Sequence, residues 1–191
     1  MLPDKIILAS GSPRRKELLA RMGVSFSVDA ADVDERCEGS PREVVLTLSR
    51  RKAEAVAARH PHEIVLAADT IVDCGGILGK PIDTEDAKRM LRTLSGQWHE
   101  VYTGVCVVSA GRAYTDAAIT RVHFTDISEA DILRYAATGD PMDKAGAYAI
   151  QGMAGMFIDR IEGCPHNVMG LPLALTKDLL GKCMAFYNEG I

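Results

Sequence analysis

Apolar positions along this chain follow two rhythms, one of short β-branched runs and one of helical stripes, and the two take turns. The run KIILA at residues 5–9 is short and branched, which predicts a strand buried on both faces. Ser12 then offers an N-cap and Pro13 a first helical position, so RRKELLARMG is predicted as a helix with Leu18, Leu19 and Met22 inward and Gly23 as its stop. VSFSVDA alternates as a strand and leads into the acidic loop ADVDERCEGS. Ser40-Pro41-Arg42-Glu43 is a capping box opening a helix to about Arg59. EIVLAADTIVDCGGILGKPID reads as two strands, an apolar run ending at Asp69 and a second turning at Gly75-Gly76.

A helix from Thr84 to about Ser95 follows, with Gly96 beyond its end. WHEVYTGVCVVSA and AYTDAAITRVHFTDI form a long hairpin across the turn Gly111-Arg112, and Ser128 with Asp131 caps a helix to Thr138. DPMDKAGAYAIQGMAG is too rich in small residues for a regular element and too apolar for disorder, which favours a functional loop. Its methionines, Met142 and Met153, and the nearby Met156 read as packing residues. MFIDRIEG is a last strand and LPLALTKDLLGKCMAF a last helix. Strands alternating with helices, plus one long hairpin, predict an α/β fold with a mixed sheet and flanking helices.

Composition narrows the function classes. The net charge of −4 argues against a nucleic-acid backbone as partner, while a small polyanion in one basic pocket stays compatible. No apolar run approaches the roughly 20 residues of a membrane span, and the first one is broken at once by Ser-Gly-Ser-Pro, unlike a leader. Five scattered cysteines without a C-x-x-C pair read as reduced thiols of a cytoplasmic protein.

Three places carry polar residues that a core does not need. Arg14 and Arg15 open a helix after a strand and tight turn, where unpaired N–H groups and the helix dipole attract phosphate; solvated arginines on a capped helix are the alternative. Asp69 follows IVLAA, and a carboxylate beyond a buried strand needs a cation or metal to stay ionised, unless it merely caps a turn. GGILGKP fails as a P-loop, having three residues between Gly75 and Gly79 and proline after Lys80, so Lys80 is either a point charge for phosphate or a solvated turn lysine. Lys52 and Glu35 are unremarkable taken singly. His60 and His62 lack a third ligand nearby, and no G-x-S-x-G elbow exists.

Taken together, ASGSPRRKELL, AADTIV, GKP, MDKAGAYAIQG and NVMGLPL resemble the Maf family, nucleotide pyrophosphatases first named for septum formation, over nearly the whole chain and in the family's order. The resemblance implies one Maf-like domain over residues 1–191, with a fold like that of inosine-triphosphate pyrophosphatases and two lobes around a cleft. It implies conversion of a nucleoside triphosphate and water to the monophosphate and pyrophosphate with a divalent cation (magnesium, manganese or cobalt), in a house-cleaning role. By position, Asp69 matches the proton acceptor, Glu35 the second acidic residue, and both are candidate metal ligands; Arg15, Lys52 and Lys80 match phosphate-side cations, and Ser10 belongs to the substrate-binding motif. Arg14, Thr70 and Gln151 fall where the subfamily resembling dTTP and UTP pyrophosphatases carries those residues, and the sister subfamily for 7-methyl-GTP carries Trp, Gln and Glu. One departure is GCPHNV, where the family has an aromatic residue after the glycine. The resemblance is also compatible with a homodimer. A different class of function, a nucleotide-sensing regulator of division without turnover, is the alternative.

Overall fold

The computed structural model describes residues 2–189, with side chains to residue 185. A seven-stranded mixed sheet is its frame, in the order β2-β1-β3-β5-β6-β7 with β4 beside β3. β1 (Lys5–Leu8) runs parallel to β2 (Ser25–Val28) and to β3 (Val65–Asp73), whereas β4 (Ile77–Leu78) is antiparallel to β3. β5 (Trp98–Ser109) and β6 (Arg112–Phe124) are the long pair, and β7 (Ile158–Glu162) lies antiparallel to β6. The helices are α1 (Pro13–Arg21), α2 (Pro41–Ala57), α3 (Thr84–Leu94), α4 (Glu129–Ala137), α5 (Pro165–Val168) and α6 (Leu173–Glu189). The expected mixed sheet with flanking helices is therefore present.

Most element ends follow from local chemistry. Ser40 accepts from the Glu43 N–H and the Glu43 carboxylate accepts from the Ser40 N–H at 2.9 Å, a complete capping box at α2. Ser128 caps α4 by accepting from the Asp131 N–H at 3.1 Å. Four expectations are corrected. Ser12 makes no side-chain cap on α1. β3 runs on through Asp69, because Thr70, Ile71 and Val72 are β-branched and no turn former interrupts them. The β5–β6 turn is Ala110-Gly111, one residue earlier than expected, since both adopt positive φ, 48° and 75°. Met153 and Met156 are exposed, and only Met142 packs against the core.

The chain forms two compact units: Met1–Asp69 with Thr103–Ala118 and Gly170–Ile191, and Thr70–Tyr102 with Ile119–Met169. In the first, Ala53 and Val56 of α2 pack on Ile7, Val65, Ala67, Cys106 and Val108 of the sheet. Gly104 in β5 sets how close α2 comes: a Cβ there would lie 2.2 Å from the Val45 carbonyl oxygen. The second unit centres on Phe124, Tyr135, Tyr148 and Phe157 with Leu91 and Leu94 of α3. Between α4 and β7 the glycine-rich segment forms three short 3-10 turns, and the divergent GCPHNV stretch contains the whole of the four-residue α5. Among the described residues the five cysteines are free, and no helix is long and apolar enough to cross a membrane.

Candidate active site

β1 stops pairing with β3 where the Ala9 N–H donates to the Leu66 carbonyl at 2.8 Å. Past that point the first strand turns away through Ser10, Gly11 and Ser12 into α1, while β3 continues to Asp69. Asp69 thus lies inside its own strand yet beyond the end of its parallel neighbour, where open sheets leave room for ligands.

Lys52 meets it there. The lysine lies on the buried stripe of α2 with Val45, Leu48, Ser49 and Val56, a position where an ammonium needs partners. Its Nζ donates to Asp69 Oδ1 at 2.6 Å and lies 2.6 Å from Glu35 Oε1. The Lys52 and Asp69 side chains are about nine-tenths buried, at 10% and 11% exposure, whereas Glu35 is 56% exposed. Glu35 comes from the acidic loop before α2, and Arg51 ties that loop down by donating to the Asp34 carbonyl and, at 3.3 Å, to that of Arg36.

Arg15 completes the cluster from the start of α1. Its Nη1 donates to Ser10 Oγ at 3.2 Å and its Nε to the Gly170 carbonyl at 2.9 Å, so the guanidinium is held in place by the protein. Burial lowers its pKa, and the negative charges of Asp69 and Glu35 oppose that shift while Arg14 adds to it. Ser10 is itself buried, and its Oγ also accepts from the Ser12 N–H at 3.3 Å.

Five expected residues, Ser10, Arg15, Glu35, Lys52 and Asp69, are therefore brought together in the first unit, with Arg14 close enough to act on Arg15. Lys80, Thr70 and Gln151 belong to the second unit. Thr70 is half-buried on β3, Lys80 is exposed after β4, and Gln151 is exposed between two 3-10 turns. Two positioning groups had no assigned role in the sequence: the Gly170 carbonyl, inside the NVMGLPL block, and Arg51, whose signal was three consecutive cations after an acidic loop.

The donor set suits a hard divalent cation. Two carboxylates converge on one nitrogen, and magnesium is ordinarily held by one or two carboxylates plus substrate phosphate oxygens. No group of three or more His, Cys, Asp or Glu residues able to hold a metal occurs among the described residues, so phosphate oxygens would have to complete the shell. A cation cluster beside a carboxylate that lies beyond the end of a neighbouring strand can bind a polyphosphate and orient water.

Comparison with known proteins identifies the family. The Maf-like protein family model matches residues 5–183. A dTTP/UTP pyrophosphatase of Anaeromyxobacter dehalogenans strain 2CP-C is 52% identical over 186 residues, covering 94% of both chains. Proteins of the same name from Hahella chejuensis and Pelotomaculum thermopropionicum are 49% and 50% identical, over 92% and 93% of this chain and 90% and 96% of their own. The solved structure of the Staphylococcus aureus Ham1 protein aligns with 64% of this chain and 72% of its own at a TM-score of 0.46 and 15% identity. With the family model spanning residues 5–183, and relatives near half identity over more than nine-tenths of the chain, this chain belongs to the Maf family.

Proposed function

We propose that this chain is a nucleoside triphosphate pyrophosphatase that hydrolyses dTTP and UTP, giving the monophosphate and pyrophosphate. The observation that carries the reading is the Lys52 ammonium held between Asp69 and Glu35 beside the anchored Arg15. Relatives near half identity that are named for this activity support the substrate class.

In this reading Arg14, Arg15 and the N-terminal turn of α1 bind the triphosphate tail, with Lys52 and Lys80 as further cations. Asp69 accepts a proton from the attacking water as the bond between the α- and β-phosphates breaks and pyrophosphate leaves. Lys52 fixes the Asp69 carboxylate so that a lone pair faces the water rather than rotating away. Asp69 and Glu35 would hold a divalent cation, magnesium, manganese or cobalt, whose chemistry is to neutralise charge on the phosphates. Arg14, Thr70 and Gln151 select the base, a role that rests on the family resemblance. An amide offers both donor and acceptor to the carbonyl and N–H edge shared by uracil and thymine, and cytosine mispairs with it in a fixed orientation. The free thiols fit a cytoplasmic location.

The test is a nucleotide panel with magnesium or manganese, detecting phosphate and pyrophosphate separately. The expected result is pyrophosphate plus dTMP or UMP, with dTTP and UTP preferred over CTP and 7-methyl-GTP. Orthophosphate plus a nucleoside diphosphate rejects the bond assignment, and preference for CTP or 7-methyl-GTP rejects the specificity. Binding without turnover on any nucleotide would return the chain to a sensing role.

A further inference from the structure

The second unit holds a buried polar pair that the chemistry above does not use. His99, in β5, is 2% exposed, and its Nε2 lies 2.8 Å from the Tyr148 hydroxyl. The two rings meet edge to face at 5.4 Å, and Phe124 packs against both at 5.0 and 4.9 Å. An all-apolar trio would fill this space equally well. A histidine–tyrosine hydrogen bond adds direction, because only one placement of the tyrosine satisfies it. Burial lowers the imidazole pKa to about 4, so the neutral ring makes the bond at neutral pH.

Tyr148 sits in the glycine-rich segment, immediately after two residues of left-handed backbone, Gly146 at φ 67° and Ala147 at φ 61°. Alanine seldom adopts that conformation, and it persists only where its surroundings dictate it. The surroundings here are specific. The Gly146 N–H donates to the Gly79 carbonyl at 3.0 Å, next to Lys80, and a Cβ on Gly146 would lie 2.8 Å from the Val72 side chain. Just upstream, buried Lys144 donates to Asp143 Oδ1 at 2.6 Å and to Asp140 Oδ1 at 3.1 Å. Downstream, the Gly152 N–H closes a turn on the Ala149 carbonyl at 3.1 Å, and Ala154 re-enters the core. Gln151 lies at the exposed turn of this braced segment, followed by exposed Gly152 and Met153.

We propose that His99 and Tyr148 are positioning residues that hold the Gln151 turn in the orientation needed to discriminate the base. This rests on the reading of Gln151 as a base-recognising residue, and acts through the backbone between residues 148 and 151. The pair touches no reacting atom, so it governs the preference among nucleotides and not the phosphate chemistry.

The test compares kcat/KM for dTTP and for CTP in the full chain, together with kcat on saturating dTTP and thermal unfolding. Tyr148→Phe keeps the ring and removes only the hydroxyl, His99→Leu removes the partner, and His99→Gln restores a polar atom near the Nε2 position. Tyr148→Phe and His99→Leu are expected to lower the dTTP-to-CTP ratio about fivefold or more, with His99→Gln close to wild type and kcat on dTTP little changed. Because the pair acts through Gln151, the Tyr148→Phe/Gln151→Ala double variant should discriminate no worse than Gln151→Ala alone. If Gln151→Ala collapses the ratio while folded Tyr148→Phe or folded His99→Leu keeps it, the positioning role is overturned and base reading by Gln151 stands. If Gln151→Ala itself keeps the wild-type ratio, base reading by Gln151 fails and takes the positioning role with it.

Discussion

The Lys52 ammonium lies 2.6 Å from Asp69 Oδ1, with both side chains about nine-tenths buried, and a second carboxylate, Glu35, meets the same nitrogen at 2.6 Å from the solvent side. This shared nitrogen makes the two acids inequivalent. Asp69 is fixed within a strand, whereas Glu35 reaches in from a loop. Removing any one of the three groups therefore has a different consequence.

Asp69→Asn should keep the fold, because Lys52 retains Glu35 as its partner and the amide occupies the same volume. Turnover of dTTP should fall by at least about a hundredfold, since an amide cannot accept the proton from water. Near-normal kcat in a folded variant would remove Asp69 from its role as proton acceptor.

Lys52→Met should cost stability as well as activity. It leaves Asp69 buried without its ammonium, and stripping one partner from a buried pair costs about 3 kcal/mol, near the low end because Arg15 still acts on the carboxylate. Urea unfolding measures the loss. A midpoint equal to that of wild type would show that the pair adds nothing to folding.

Gly104→Ala tests how the helix that carries Lys52 is seated. The added methyl would lie 2.2 Å from the Val45 carbonyl oxygen and 2.5 Å from its carbon, and backbone cannot swing aside as a flexible side chain can. Unfolding should become easier by about 1–3 kcal/mol, the usual cost of overpacking, and kcat should drop as α2 shifts against β3. Unchanged stability and kcat would mean that α2 accommodates the methyl without moving Lys52.

Acid should loosen the link between the end of β2 and the end of α2. Hydrogen bonds from Arg59 first, and then from His60, hold the Asp29 carboxyl down to about 2 against an ordinary value of 3.8. A depressed carboxyl stabilises the fold fully above its unfolded pKa, and that contribution disappears as pH falls from near 4 through about 2. The pair is solvent-accessible, so salt should weaken it. Carbon-13 NMR titration should place the Asp29 midpoint near 2, moving toward 3.8 in Arg59→Gln; a wild-type midpoint near 4 would contradict the interaction.

The sequence by itself determined the features that depend on near neighbours. The capping box of Ser40 and Glu43, the Ser128 cap, the mixed order of strands and helices and the long hairpin are all written in residues a few positions apart, where propensity, capping and alternation act. The family blocks also marked Asp69 and Arg15, whereas Lys52 and Glu35 lie outside those blocks and were linked to them only by the resemblance. Tertiary structure alone decided that Lys52 closes on both acids, that Gly104 admits α2 to that depth, and that Arg15 is anchored on a carbonyl 155 positions away. It also decided that β3 continues through Asp69, which the apolar run had suggested as its end. Such contacts depend on how strands order and where a helix packs, and the residues between them carry no periodic signal of it. A lysine on a buried helical stripe reads locally as a misfit; only the strand and loop folded against it supply the charges that make its burial stable.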